Sequence, residues 1–160
     1  MNRARVLFLS TLLCLAALTG CDSIDCTLNN TVVMTCAFYQ DGKAVQLNDT
    51  LTITAAGTDQ VLLNLKTGAQ SVALPLSYFN SVDTLLLNIS GDGFTVIDTL
   101  WIEKTSYHHF ESPDCPVSMF HDITEVRSTH LAIDSVSITR PEVNFIEYEN
   151  LQIHFHSSAD

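Results

Sequence analysis

Basic residues are scarce in this sequence. Its 160 residues include 7 Lys and Arg against 18 Asp and Glu, so the formal net charge is −11. Because binding to a phosphate backbone needs a basic patch, this balance excludes a nucleic acid as the partner. Hydrophobic residues make up 46% of the chain, which is too apolar for intrinsic disorder. A chain of this length and composition is expected to form a single small domain.

Long apolar runs are also scarce, and the longest lies at residues 6–18, after Arg3 and Arg5. It is shorter than the roughly 20 apolar residues of a transmembrane helix, and no later stretch approaches that length. A basic start followed by a short apolar run is typical of a secretory signal peptide. The sequence therefore predicts export through a cleaved leader, not a membrane span.

The apolar run ends in Leu18-Thr19-Gly20-Cys21, which resembles the lipobox of bacterial lipoproteins. In such proteins the Cys thiol receives a diacylglycerol, and the cleaved chain begins at that Cys. The alternative is an ordinary secreted protein with a chance Cys at this place. We expect a lipoprotein signal peptide at residues 1–20, a lipidated tether at 21–30 and a folded domain at 31–160. The cleaved chain would have 140 residues and a formal charge of −13, which repels anionic headgroups.

Three cysteines remain once Cys14 is cleaved off and Cys21 is lipidated. Cys36 alternates with apolar residues on one face of a predicted strand, so we expect it to behave as a small buried hydrophobe. Cys26 and Cys115 lie in loop-like contexts and the exported compartment is oxidising, so we predict a disulfide between them. A pairing through Cys36 and a zinc site stay open, although no C-x-x-C or H-x₃-H spacing supports zinc.

Sustained helical periodicity is missing throughout the body of the chain. Instead, apolar residues alternate in short runs between turn signals such as Asp41-Gly42, a pattern typical of strands. About eight or nine short strands at this spacing predict an all-β fold, a single two-sheet, immunoglobulin-like β-sandwich. The predicted strands are residues 32–39, 45–47, 51–55, 61–65, 71–76, 84–89, 94–103, 123–128, 133–139 and 151–155.

The usual signatures of catalysis and cofactor binding are missing as well. No G-x-S-x-G nucleophile motif occurs, and no run of spaced carboxylates resembles a calcium loop. His154 and His156 share one face of a predicted strand, but nothing places His121 or His130 beside them as a third metal ligand. We therefore expect no enzymatic activity, no cofactor and no metal.

A short motif, Asp followed by Ser or Thr and an apolar residue, recurs five times. It resembles the acceptor motif of protein O-glycosylation in Bacteroidota envelopes. The alternative is structural: Asp caps a turn, Ser or Thr begins a strand, and the apolar residue enters the core. The candidate glycosylation sites are Ser23, Thr50, Thr84, Thr99 and Ser135.

Several segments together resemble one family. They are residues 21–32, 57–62, 74–77, 114–123 and parts of 129–144. They are similar to a family of uncharacterised Bacteroidota lipoproteins, defined as a domain of unknown function. The resemblance implies a lipid-anchored envelope protein encoded near outer-membrane barrel-like proteins, and it carries over no catalytic residues. Cys26 and Cys115 fall inside the resembling segments, which favours their pairing.

The leading functional hypothesis is a non-enzymatic lipoprotein, held by lipid on Cys21 in the cell envelope, at the outer membrane. There it would bind another envelope component, such as an outer-membrane barrel protein, through a sheet edge or an apolar patch. The alternative is a surface β-sandwich that binds glycans by stacking sugars on exposed aromatic rings. Trp101, the only tryptophan, alternates with strand residues and is expected in the core, which weakens that alternative.

Overall fold

The computed structural model describes residues 26, 31–58 and 60–157, which form two packed β-sheets. The leader, Cys21 and Ser23 lie outside the described residues. Within the described part no helix is long and apolar enough to cross a membrane. The strands are β1 (Met34–Gln40), β2 (Lys43–Ala44), β3 (Thr50–Ala55), β4 (Val61–Lys66), β5 (Ser71–Leu74), β6 (Val82–Gly91), β7 (Phe94–His109), β8 (Ser118–Ser128), β9 (Ile133–Ile138), β10 (Glu142–Val143) and β11 (Glu149–Phe155).

The first sheet has the strand order β2-β1-β11-β9, with β5 beside the earlier part of β1. Strand β1 runs parallel to β11, and the other pairs in both sheets are antiparallel. The second sheet has the order β10-β8-β7-β6-β3-β4. This confirms the predicted all-β, two-sheet sandwich. The immunoglobulin likeness extends to the two-layer architecture but not to the strand order, because β6, β7 and β8 form a three-stranded meander within one sheet.

Strict alternation along the strands builds the core between the sheets. In β1 the side chains of Met34, Cys36 and Phe38 are fully buried, and Leu151 and Ile153 of β11 lie beside them. Cys36 is a free, buried thiol, as the sequence predicts, and its burial raises its pKa to about 12. The facing sheet contributes Leu51, Ile53, Leu85, Leu87, Ile89, Leu100, Ile102 and Ile123.

Two predicted strand regions differ from the structure. Residues 45–47 do not form a strand, because the pairing that follows the turn at Asp41-Gly42 ends after two residue pairs. Leu47 makes only an isolated bridge to Ala69. Both turn residues have positive φ, the conformation that this tight hairpin requires. The second difference is larger: β7 continues to His109 and β8 begins at Ser118, well beyond the predicted ends at 103 and 123.

The connection from β8 to β9 crosses from one sheet to the other, and a buried carboxylate holds it. Asp98 of β7 has no exposed surface. It accepts hydrogen bonds of 2.5–2.9 Å from the Thr129 hydroxyl and from the backbone N–H groups of Leu131, Ala132 and Ile133. Burial alone would raise the pKa of Asp98, but the hydrogen bonds to its charged form outweigh burial and hold the pKa below its ordinary value.

We expect Asp98→Asn to lower the free energy of unfolding by about 2 kcal/mol at pH 7, because an amide nitrogen would then face a backbone N–H donor in a buried site. Urea denaturation measures this, with Asp92→Asn, an exposed turn residue, as the control. Since the folded pKa is depressed, the Asp98 contribution is complete above the ordinary carboxyl pKa and is lost as pH falls through the folded value. The gap between wild type and variant should therefore shrink in acid. Equal effects of the two substitutions at pH 7 would contradict this role.

Candidate functional site: the aromatic arm

The hairpin of β7 and β8 extends beyond the rest of its sheet. The pairing of β6 with β7 ends where Val82 lies opposite Glu103, and from residue 104 onward β7 pairs only with β8. We call residues 104–123 the arm and residues 110–117 its tip. The arm was not predicted from the sequence. Most residues from 105 to 110 are exposed on both faces of the hairpin, so no alternation of apolar and polar residues indicates a strand there.

Stacked rings stabilise one face of the arm. His109 lies flat against Phe120, with 4.2 Å between ring centroids. Phe145, from the connection between β10 and β11, meets Phe120 edge-on at 4.9 Å, and Tyr107 does so at 6.0 Å from the other side. Aromatic pairs in these geometries add stability beyond the area they bury, so the arm is held in place by side chains as well as by its ladder.

The tip of the arm and the neighbouring connection between β5 and β6 present apolar side chains to solvent. Phe79, in the connection between β5 and β6, is 95% exposed, and Phe110 at the tip is 64% exposed. Tyr78 and Phe79 line a groove together with Val117 and Met119 of the arm. Large apolar side chains gathered on a surface mark a site of interaction with a protein, a ligand or a membrane. We call Tyr78, Phe79, Phe110 and Val117 the apolar end.

A disulfide ties the start of the described chain to the tip. Cys26 is bonded to Cys115 across 89 residues of sequence, with Cα atoms 5.7 Å apart. This confirms the predicted pairing and excludes a bond through Cys36, which is free. Closing so long a loop stabilises the folded state by about 4 kcal/mol in the chain-entropy model.

A buried ion pair holds the loop that carries Tyr78 and Phe79. Lys104 Nζ lies 3.3 Å from the Asp83 carboxylate, and both side chains are buried. The ammonium also donates to the backbone carbonyls of Ser77 and Asn80, while Asp83 accepts a 2.9 Å hydrogen bond from the Ser77 N–H. These contacts satisfy both charges and fix the loop against the base of the arm.

His121 lies beside this pair and is only 1% exposed. Its Nδ1 is 2.8 Å from the Ser106 hydroxyl, its ring stacks on Tyr78, and its Nε2 has no hydrogen-bond partner. Burial and the nearby Lys104 charge lower its pKa to about 4, against an opposing effect of Asp83. The imidazole is therefore neutral at pH 7 and serves as a packed core residue.

The histidines that were considered as metal ligands do not come together. His154 packs on Tyr39 in the first sheet, and His156, directly after β11, lies 3.6 Å from Asp134, whereas His121 is on β8 of the second sheet. His130 approaches His156 only through its backbone carbonyl. Across the described ranges, no group of three or more His, Cys, Asp or Glu side chains is arranged to hold a metal ion.

Trp101 does not lie in the core, contrary to the sequence-based expectation. Its neighbours Leu100 and Ile102 both face the core, so the alternation of the strand turns Trp101 to the outer face, where it is half-buried. Its cross-strand neighbours there are Thr84 and Arg127. Arg127 forms ion pairs with the adjacent carboxylates at 2.6 and 3.3 Å, so the ring lies in polar surroundings.

The candidate glycosylation sites lie on strands. Thr50, Thr84 and Thr99 are half-buried in β3, β6 and β7, and Ser135 is exposed on β9, at the edge of its sheet. Ser23 lies outside the described residues. In the motifs of Thr84 and Thr99 the following Leu enters the core, as the structural alternative expects, but the preceding Asp is buried and bonded, and Thr99 lies within β7 and does not begin it. Modification at any of these positions stays a prediction.

The arm, Cys115 and the strands from β3 to β11 all fall within one known family. A family model described as a family of unknown function (DUF6452) matches residues 50–155. The chain belongs to the DUF6452 family. This confirms membership in an uncharacterised family, as the resemblance implied. No curated protein and no solved structure matches the chain significantly.

We expect the free energy of unfolding of this DUF6452 protein to fall as pH is lowered from 6.5 to about 4. In that window the unfolded His121 binds a proton and the folded one does not, so acid favours the unfolded state. His121→Gln should remove this part of the pH dependence, and His108→Gln, an exposed residue of the same arm, should keep it. Urea denaturation at several pH values measures the slope. A wild-type slope in His121→Gln would show that another group is responsible.

Proposed function

We propose that this protein is a lipid-anchored envelope lipoprotein of the Bacteroidota type. Residues 1–20 would direct export, and lipid on Cys21 would hold the domain at the outer membrane. There it would act as a non-enzymatic accessory module that binds another envelope component, such as an outer-membrane barrel protein. The domain itself would neither catalyse a reaction nor carry a cofactor.

The observation that carries this proposal is the Cys26–Cys115 disulfide, five residues after Cys21. Disulfides persist in exported proteins and are rare in the cytosol, so a bridge that joins the tether to the domain supports export. A bridge at this place also gives the lipid a firm connection to the folded part. More than one acyl chain makes such an anchor stable.

Strand β9 is the surface that best suits a protein partner. It lies at one end of its sheet, runs for six residues and contains neither Lys nor Pro. The opposite sheet ends in β4, which carries Lys66 and two pairing irregularities, and in β10, which has two residues. Lysines, irregular pairing and short length all protect an edge from another strand; β9 has neither a lysine nor a short length, and its pairing with β11 is irregular only near its start, between His154 and Phe155. Strand addition on β9 would use backbone hydrogen bonds for affinity.

We expect Cys21→Ala to lose labelling by radioactive palmitate and to move from the membrane to the soluble fraction of the envelope, since no acyl chain remains. In cross-linked envelopes, a barrel protein that purifies with wild type should be missing from the Cys21→Ala sample. Ser137→Lys on β9 should keep the label and lose the partner, because a charge blocks the edge. Ser71→Lys, also exposed but on the short strand β5, is the matched control. Persistent labelling of Cys21→Ala, or a wild-type sample without a partner, would contradict the proposal.

The second candidate function is glycan binding on the outer face around Trp101. A half-buried indole beside Thr84 and an Arg–Glu network provides both an apolar platform and hydrogen-bonding groups, the combination that ligand sites use.

On a glycan array, we expect Trp101→Ala to lower the affinity for a bound glycan about tenfold, a change of about 1.4 kcal/mol, because the stacking platform is lost. Ile97→Ala, exposed on β7, should keep it. Equal binding by the two variants would assign the glycan to another surface.

A further inference from the structure

We infer that the apolar end of the arm rests in the headgroup region of the bilayer, at uncharged, zwitterionic lipids, so that the domain stands end-on to the membrane. This inference rests on the proposed lipid anchor at Cys21. In this arrangement the side chains of Tyr78, Phe79, Phe110 and Val117 contact the lipid surface.

The distance between the lipidated residue and the tip is the first argument. Cys21 and Cys26 are five residues apart, and an extended chain of that length spans at most about 18 Å. The disulfide then holds Cys115 within 5.7 Å of Cys26, measured between Cα atoms. A tip with so short a connection to an acylated residue stays close to the membrane, whatever path the connecting residues take.

The chemistry of the apolar end is the second argument. Phe79 is almost fully exposed and Phe110 largely so, with Tyr78 beside them. Aromatic side chains are enriched at the headgroup level of bilayers, where an apolar ring and a polar edge are both accommodated. Glu111 and Asp114 lie in the same tip, and the cleaved chain carries a charge of −13, so an uncharged surface suits this end better than an anionic one.

The direction of the strands is the third argument. Phe145, four residues before β11, contacts Phe120 of the arm, so β11 and its parallel neighbour β1 begin at the end of the sandwich from which the arm projects. Strand β6 begins at the same end, opposite Glu103. Phe94 and Phe110 lie at opposite ends of β7, which spans 16 residues, and about 50 Å of extended strand separates them. With β7 upright and its tip at the membrane, the turn at residues 91–93 would therefore lie far from the bilayer.

Tryptophan reporters at three heights along β7 test this orientation. The lipidated full-length protein is reconstituted into phosphatidylcholine vesicles that contain lipids brominated near the headgroup. Wild type reports from Trp101; Phe110→Trp and Phe94→Trp, each combined with Trp101→Phe, report from the tip and the far end. Sedimentation with the vesicles checks the anchor, and circular dichroism checks the fold of each variant.

We expect the reporter at position 110 to shift to shorter wavelength and to lose about half of its emission, and the reporters at positions 101 and 94 to stay unquenched. Adding Phe79→Ser should weaken the quenching at position 110. Sedimentation of all proteins without quenching at position 110, or with equal quenching at all three positions, would overturn the inference while leaving the lipid anchor intact. Failure to sediment would overturn the anchor itself, and the orientation with it.

Discussion

Two buried charges on β7 each hold one of the connections that cross between the two sheets. Asp98 binds the connection from β8 to β9, which leaves the second sheet for the first. Lys104, on the same face of the strand, binds the connection from β5 to β6, which passes the other way. Each charge is buried, and each is satisfied by backbone groups of the segment it holds. The hydrophobic core favours the packing of two sheets, whereas these bonds fix two of the connections that pass between them.

The same two charges explain where the sequence pattern is misleading. Buried strand faces are read from alternating apolar residues, and on β7 the inward face carries Asp98 and Lys104 while the outward face carries Ile97 and Trp101. A prediction based on hydrophobicity alone therefore places Trp101 in the core. The charges are tolerated inside because partners from distant loops bind them, and a single strand gives no sign of those partners. In β1 every buried position is apolar, and β11 adds the buried Leu151 and Ile153 beside one buried amide, Asn150; there the predicted strands and the buried Cys36 are confirmed.

The arm could not be predicted for a related reason. Beyond its base at Lys104, His121 and Ile123, its strands do not cover a core, so their side chains follow no alternation, and its stability comes from ring stacking with Phe145 and from the disulfide. The disulfide itself was predictable by counting, because one thiol had a core pattern and the other two did not. The sequence did not indicate that this bridge would join the tether to an apolar, largely exposed end of the molecule.

That junction links the proposed anchor to the proposed binding surfaces. With the apolar end on the bilayer, β7 and its neighbours stand along the membrane normal, and Trp101 lies about 30 Å of strand away from Phe110. Strand β9 runs antiparallel to β11, so its last residues lie toward the membrane and its first residues away from it. An upright edge of this kind faces sideways along the membrane. A barrel protein beside the anchor would meet β9 with the part of it that extends out of the bilayer, whereas a soluble partner would gain nothing from that orientation. An end-on arrangement therefore favours a membrane-embedded partner over a soluble one.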